Sequence, residues 1–279
     1  MTSGPISACS RTEGVPAGLS LARFPRRRAR PGRHVRIPGV WSPELGNRRD
    51  VFVFLPPSYD DGAQFPVVYL HDGQNLFDPR LSFAGSWGAD AAANAAARLG
   101  HEAILVGVAN ANERRVDEYS PFVDPKVGGG AGERYLQFLI RTLKPRIDAD
   151  YRTRPAREHT VIGGASLGGL ISLYAFFRFP EVFGRVSAQS PALWFAGGAI
   201  FDYVAAAAAA PGRIFLDVGG MEGTGTMRNA RRMRDLLRDK GYEPGRTLHY
   251  LEQRTGRHHE SAWGRRLKRA LPFLIEHAP

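Results

Sequence analysis

A serine among small residues is the first feature with chemical potential. Residues 161–169 read VIGGASLGG, with Ser166 in a Gly164-x-Ser166-x-Gly168 pattern. This spacing suits a tight turn from a buried strand into a helix. Such a turn lifts the serine hydroxyl clear of the sheet and needs small neighbours, because strand and helix nearly touch there. Ala165, Gly168 and Gly169 meet that demand. Leu167 offers a backbone N–H at the helix start, where an oxyanion is stabilised. In a chain with 32 glycines the pattern alone is weak evidence, and an ordinary glycine-rich turn is the alternative. The apolar residues before it and the helical periodicity of 170–178 after it favour the catalytic turn.

A serine hydroxyl needs a base, and the base needs an orienting acid. On a sheet of alternating strands and helices these groups gather at strand C-terminal ends. Where the serine lies in a G-x-S-x-G turn, the acid and then the histidine follow it in the chain. The later histidines are His249, His258, His259 and His277. His249 falls inside a predicted strand and His277 in the terminal tail. His258 and His259 share a loop just past the last predicted strand, and one of them is the expected base. The expected acid is Glu222, on the glycine-rich loop 219–223; Asp217, within the preceding strand, is the alternative. A second oxyanion donor is expected from Gly73 or Gln74, in the polar turn after an apolar strand ending at Leu70. His71 and Asp72 in that turn read as structural. No His/Cys set has metal-site spacing, so neither metal nor cofactor is expected.

The elements that must position these groups are legible from periodicity. Strands are predicted at 34–41, 50–55, 65–70, 103–108, 160–164, 185–189, 213–218 and 247–251. Helices are predicted at 90–99, 133–147, 200–209, 227–240 and 261–276, besides the one after Ser166. Alternation of this kind implies an α/β fold: a mainly parallel central sheet, antiparallel N-terminal edge strands and helices on both faces. Residues 33–279 read as one domain. Residues 1–32, dominated by Ser, Gly, Pro and Arg, read as a disordered basic tail. The run Gly128–Gly132 reads as a flexible loop and lacks the spacing and lysine of a phosphate loop.

Composition narrows the function classes. No apolar run approaches the roughly 18 residues of a membrane helix. The sole cysteine, Cys9, excludes an intramolecular disulfide, and a cytoplasmic location is the expectation. The formal charge of +11 comes almost entirely from arginine. Arg26, Arg27, Arg28, Arg30 and Arg33 form one cluster; Arg265, Arg266, Lys268 and Arg269 form another on the last helix. No nucleic-acid motif accompanies either, so they read as a solvated tail and a solvated helix face, with no nucleic-acid or membrane partner. Trp87, Tyr119, Phe122 and Trp194 are candidates for an aromatic cleft. Arg114, Arg115 and Glu118 are candidates for its polar specificity. Core packing and a structural ion pair are the competing reading.

With these residues in view, the chain from 34 to 274 resembles the putative-esterase branch of the α/β-hydrolases, which includes esterase D-like, feruloyl and enterochelin esterases and, more distantly, mycolyltransferases. The segments that carry the resemblance are NRRDVFVFLPPSY at 47–59, HDGQNLFD at 71–78, NERRVDEYSP at 112–121, GASLGG at 164–169, SPALW at 190–194 and HHESAW at 258–263. It implies an α/β-hydrolase fold and a serine carboxylesterase with an oxyanion hole at Leu167 and the 71–78 loop. It assigns the base to His258, with His259 where the family usually has Asn, and supports Glu222 as acid. It also implies a pocket lined from 112–121, which supports Arg115, Glu118 and Tyr119 as substrate contacts. Two rivals remain: an acyltransferase using the same triad, and a non-enzymatic basic binding protein on a hydrolase scaffold. A small-molecule ester is the expected partner.

Overall fold

The computed structural model describes residues 1, 2, 4, 31–82 and 84–276. The tail expected over 1–32 therefore lies almost wholly outside the described residues, as does His277. The first two strands, β1 (Arg33–Ser42) and β2 (Asn47–Leu55), form an antiparallel hairpin. The other sheet strands are β3 (Val67–His71), β4 (Ile104–Val108), β7 (Thr160–Ala165), β8 (Arg185–Gln189), β9 (Arg213–Gly219) and β10 (Leu248–Gln253). Their spatial order is β1-β2-β4-β3-β7-β8-β9-β10. β2 is antiparallel to β4, and every later pairing is parallel. This is the mainly parallel sheet with an antiparallel edge that the alternation of elements implied, and it is an α/β-hydrolase fold.

The inner strands are buried on both faces, so they read as continuous apolar runs. Val67 and Tyr69 of β3 pack on one side, and Val68 and Leu70 on the other. Helices α1 (Ala89–Ala97) and α8 (Glu260–Ile275) cover the second side. The first side is covered by α3 (Gly132–Gln137), a π-helical stretch Phe138–Leu143, α4 (Lys144–Asp150), α5 (Leu167–Arg178), α6 (Ala199–Ala206) and α7 (Thr224–Asp239). The remaining helix, α2 (Arg115–Glu118), is a single turn.

Local details depart from expectation for physical reasons. The glycine run is not simply a loop: Gly128–Gly129 forms β6, paired with β5 (Val123–Asp124), and Gly132 opens α3. The 133–147 prediction continues to Asp150 through the π stretch. The helix predicted over 200–209, α6, ends at Ala206, because Ala207 is extended (φ −63°, ψ 148°). The C-terminal basic cluster is not uniformly solvated: Arg266 faces inward and is 1% exposed. Among the described residues, no helix is long and apolar enough to cross a membrane.

α8 meets the segment leading into α1 at Gly264, where an added Cβ would lie 1.7 Å from the Trp87 carbonyl oxygen. That obstacle is backbone, which cannot rotate away. Gly264→Ala is therefore expected to destabilise the fold by about 2–3 kcal/mol or more, the upper part of the range for overpacked cores. Chemical denaturation of variant and parent measures it.

Candidate active site

β7 ends at Ala165, and α5 starts at Leu167, so Ser166 alone makes the turn. Its backbone is forced to φ 58°, ψ −122°, a region that L-residues avoid. The Ser166 N–H donates to Gln189 O at 3.0 Å, and the Ser166 carbonyl accepts from Ala192 N at 2.9 Å. The small neighbours are required by contact. A Cβ on Gly164 would lie 2.9 Å from the Gly168 carbonyl carbon and from His71 Cδ2; one on Gly169 would lie 3.0 Å from Gln189 O. Leu167 holds the first position of α5, where backbone N–H groups have no partner within the helix.

Past β9, Glu222 sits on a turn in which its own N–H donates to Gly219 O at 3.1 Å. Its Oε2 is 2.9 Å from His258 Nδ1. The Glu222 side chain is 1% exposed, whereas that of His258 is 46% exposed. One end of the pair is thus dry and the other open to solvent. The two adjacent histidines are doing different things. His259 Nδ1 accepts from Ser261 N at 3.2 Å and caps α8. The His258 ring meets Trp263 edge-on at 5.0 Å. Asp217, the other acid candidate, is fully buried beneath the strand end and ion-paired with Arg266 Nε at 2.9 Å.

The turn after β3 is clamped. Asp72 has a left-handed backbone (φ 56°). Its carboxylate takes two bonds from Arg115, at 2.8 and 2.9 Å, and one from Asn110 Nδ2 at 2.7 Å. The Asp72 N–H donates to the Tyr119 hydroxyl at 3.1 Å. Gly73 and Gln74 follow at once, and Gln74 Oε1 accepts from Asn110 N at 3.2 Å. His71 turns the other way, with Nδ1 2.8 Å from the Tyr135 hydroxyl.

Several residues expected in a substrate cleft do structural work instead. Glu118 is buried and closes a two-point ion pair with Arg49, at 2.8 and 3.0 Å. Tyr119 is buried beside the Asp72 turn, and Trp87 packs against Trp263 at 5.7 Å between ring centres. Phe122 packs on Tyr174 and Tyr203. Trp194 is 57% exposed, and Arg115 is partly exposed while holding Asp72. Sequence gives residue types but not which charges meet face to face, so the Arg49–Glu118 pair was not visible there.

A family model described as "Putative esterase" matches residues 42–274. The chain belongs to that family. It is an esterase-type hydrolase. One relative is the uncharacterized protein YbbA of Bacillus subtilis, 30% identical over 232 residues, covering 78% of this chain and 88% of that protein. Another is the siderophore triacetylfusarinine C esterase of Aspergillus fumigatus, 29% identical over 136 residues, covering 46% of this chain and 44% of that protein. The chain thus spans less than half of this fungal relative. Among solved structures, the BES protein of Bacillus cereus superposes with a TM-score of 0.69 at 20% identity, covering 88% of this chain and 95% of that one.

Two buried carboxylates of this esterase share one guanidinium, since Arg266 Nη2 also lies 3.4 Å from Glu222 Oε1. Burial pushes the Asp217 carboxyl up to about 7, against the charge of Arg266 and the Ser190 N–H bond. For Glu222 burial also opposes ionisation, but the bonds from His258 and Ser190 outweigh it and its pKa falls below the ordinary value. The acid beside the histidine is therefore the more readily ionised of the two. Ser190 and Arg266 were both missed as members of this cluster. One signal for Arg266 was present: its helix neighbours Ala262, Trp263 and Ala270 are apolar, which puts it on the inward stripe.

Burial drives His71 down to about 3. The unfolded ring titrates near 6.5, so the unfolded chain binds an extra proton between the two values. Stability at this site is complete above about pH 6.5 and falls as pH drops towards 3, at about 1.4 kcal/mol per pH unit. His71→Gln is expected to flatten the stability profile between pH 6 and pH 4. Urea midpoints taken across that range check it; an unchanged slope would contradict it.

Proposed function

We propose that this esterase is a serine carboxylic-ester hydrolase acting through Ser166, His258 and Glu222 and a covalent acyl-enzyme. The observation that carries the reading is the His258–Glu222 pair at 2.9 Å, at the same sheet end as the strained Ser166 turn. With Nδ1 bonded to a carboxylate, the ring carries its proton there and leaves Nε2 as a free base. His258 Nε2 takes the hydroxyl proton as Ser166 Oγ attacks the ester carbonyl carbon. The N–H groups of Leu167 and of Gly73 or Gln74 receive the oxyanion, each contributing about 3 kcal/mol to the lowered barrier. His258 returns the proton to the departing alkoxide. Water then attacks the acyl carbon, loses its proton to His258 and frees Ser166.

The clamp on Asp72 supports this reading, because it fixes the backbone of the oxyanion turn without using the site itself. The substrate is a small-molecule ester. The name of the fungal relative makes siderophore esters the first class to test.

The test is fluorophosphonate labelling followed by hydrolysis of a panel of p-nitrophenyl, feruloyl and siderophore esters, with and without an added alcohol. Labelling at Ser166 with release of free acid supports hydrolysis. Preferential transfer of the acyl group to the alcohol supports the transferase rival. A folded protein that neither labels nor cleaves any member rules out the mechanism. Salt-sensitive DNA binding in such a protein would favour the basic-scaffold reading.

A further inference from the structure

Ser190 follows β8 at the centre of a hydrogen-bonded cluster that the mechanism has not used. Its hydroxyl donates to Glu222 Oε1 at 2.7 Å. The same oxygen accepts from Arg266 Nη2 at 2.5 Å and from Trp263 Nε1 at 3.3 Å. A serine hydroxyl has one proton and two lone pairs. With both lone pairs facing N–H donors, the proton has one direction left, towards Glu222. The hydroxyl cannot turn away without abandoning buried donors, which is costly.

The Ser190 backbone is held as firmly. It has φ 40°, and its N–H donates at 3.0 Å to both the carbonyl and the carboxylate Oδ1 of Asp217. Its chain neighbours grip the nucleophile: Gln189 O accepts from Ser166 N, and Ala192 N donates to Ser166 O. Segment 189–192 therefore holds the backbone of Ser166 and the side chain of Glu222 together. The Gly219 N–H also reaches Glu222 Oε1, at 2.9 Å, but it belongs to the same turn as Glu222 and ties it to nothing else.

We propose that Ser190 is a positioning residue: by donating to Glu222 Oε1, alongside Gly219 N and Arg266 Nη2, it turns Oε2 towards His258 Nδ1 and keeps the imidazole in its Nδ1–H form. Trp263 shares in this, since it donates to Ser190 Oγ and packs edge-on against the His258 ring. Arg266 supplies the charge that keeps two buried carboxylates in one place. The inference rests on the serine-hydrolase reading for its effect on turnover. The effect on the His258 tautomer stands without it.

The experiment compares Ser190→Ala and Ser190→Gly with the parent. Glycine carries the positive φ without strain, so the second variant removes the hydroxyl with the least disturbance of the backbone. Steady-state kinetics on the best ester are combined with 15N spectra of labelled histidine above pH 8, with the His258 signals identified by their loss in His258→Gln. Expected are a fall in kcat of about tenfold or more with KM within about twofold, the scale of one hydrogen bond to a charged group. The His258 nitrogens should move from a pure Nδ1–H pattern to a mixture of tautomers. A folded Ser190→Gly variant with parental kcat and an unchanged His258 pattern would overturn the proposal and leave the esterase reading intact. A shifted tautomer in a protein that cleaves no ester would uphold the positioning role while the esterase mechanism fell.

Discussion

Ser166→Ala is expected to lower turnover by about 10⁴- to 10⁶-fold, as when any one member of an interdependent triad is removed. It should leave the melting temperature within a degree or two. The alanine keeps the Cβ and so keeps the strain of φ 58°, while the bonds from Ser166 to Gln189 and Ala192 are all backbone. Ser166→Gly separates strain from chemistry. It should be equally inactive, yet more stable by about 1 kcal/mol, because a non-glycine residue in that region costs about 1–3 kcal/mol. For a domain of this size the melting temperature should rise by about 2–4 °C. Calorimetry and ester hydrolysis on the same preparations test both. Substantial turnover by Ser166→Ala would remove the nucleophile from the mechanism.

The second large effect discriminates between adjacent histidines. His258→Gln is expected to cost about 10⁴-fold or more in kcat, since the ring bonded to Glu222 is the proposed base. His259→Gln should change kcat by no more than about threefold. Its ring caps α8, so its loss should appear as about 1 kcal/mol of stability. Paired measurement of kcat and unfolding midpoint gives opposite patterns for the two variants. A reversed pattern would reassign the base. Residue types alone left this choice open, and only the family resemblance pointed to His258, because two identical rings in one loop differ only in where the backbone aims them. His259 is extended (φ −158°, ψ 149°) as the cap of α8, and that commits its ring to Ser261.

This division between what was and was not legible recurs through the molecule. The sheet strands were readable because burial on both faces leaves little but apolar residues in them, as in Val67–His71 and Ile104–Val108. The turn at Ser166 was readable because only small residues tolerate the contact between Gly164 and Gly168. Buried charge was not readable. Glu118 and Tyr119 have the composition of a polar pocket wall, yet Arg49 and Asp72 draw them inside. Arg266 carries the same charge as the exposed arginines of α8. Only its facing carboxylates, Asp217 and Glu222, make it a core residue. Local sequence encodes periodicity and steric demand; it does not encode which ion across the fold will be opposite.

The placement of His258 between β10 and α8 has a consequence for synthesis. A ribosome delivers Ser166 and the turn after β3 well before the chain reaches His258, by several seconds or more at about 5–20 residues per second. Under the proposed mechanism the nascent protein carries its nucleophile without a base throughout that interval. α8 then supplies Arg266 and Trp263 in the same step that caps the helix with His259. Hydrolytic competence would thus arrive only once α8 has been made, and a chain that stalls before α8 would emerge chemically silent.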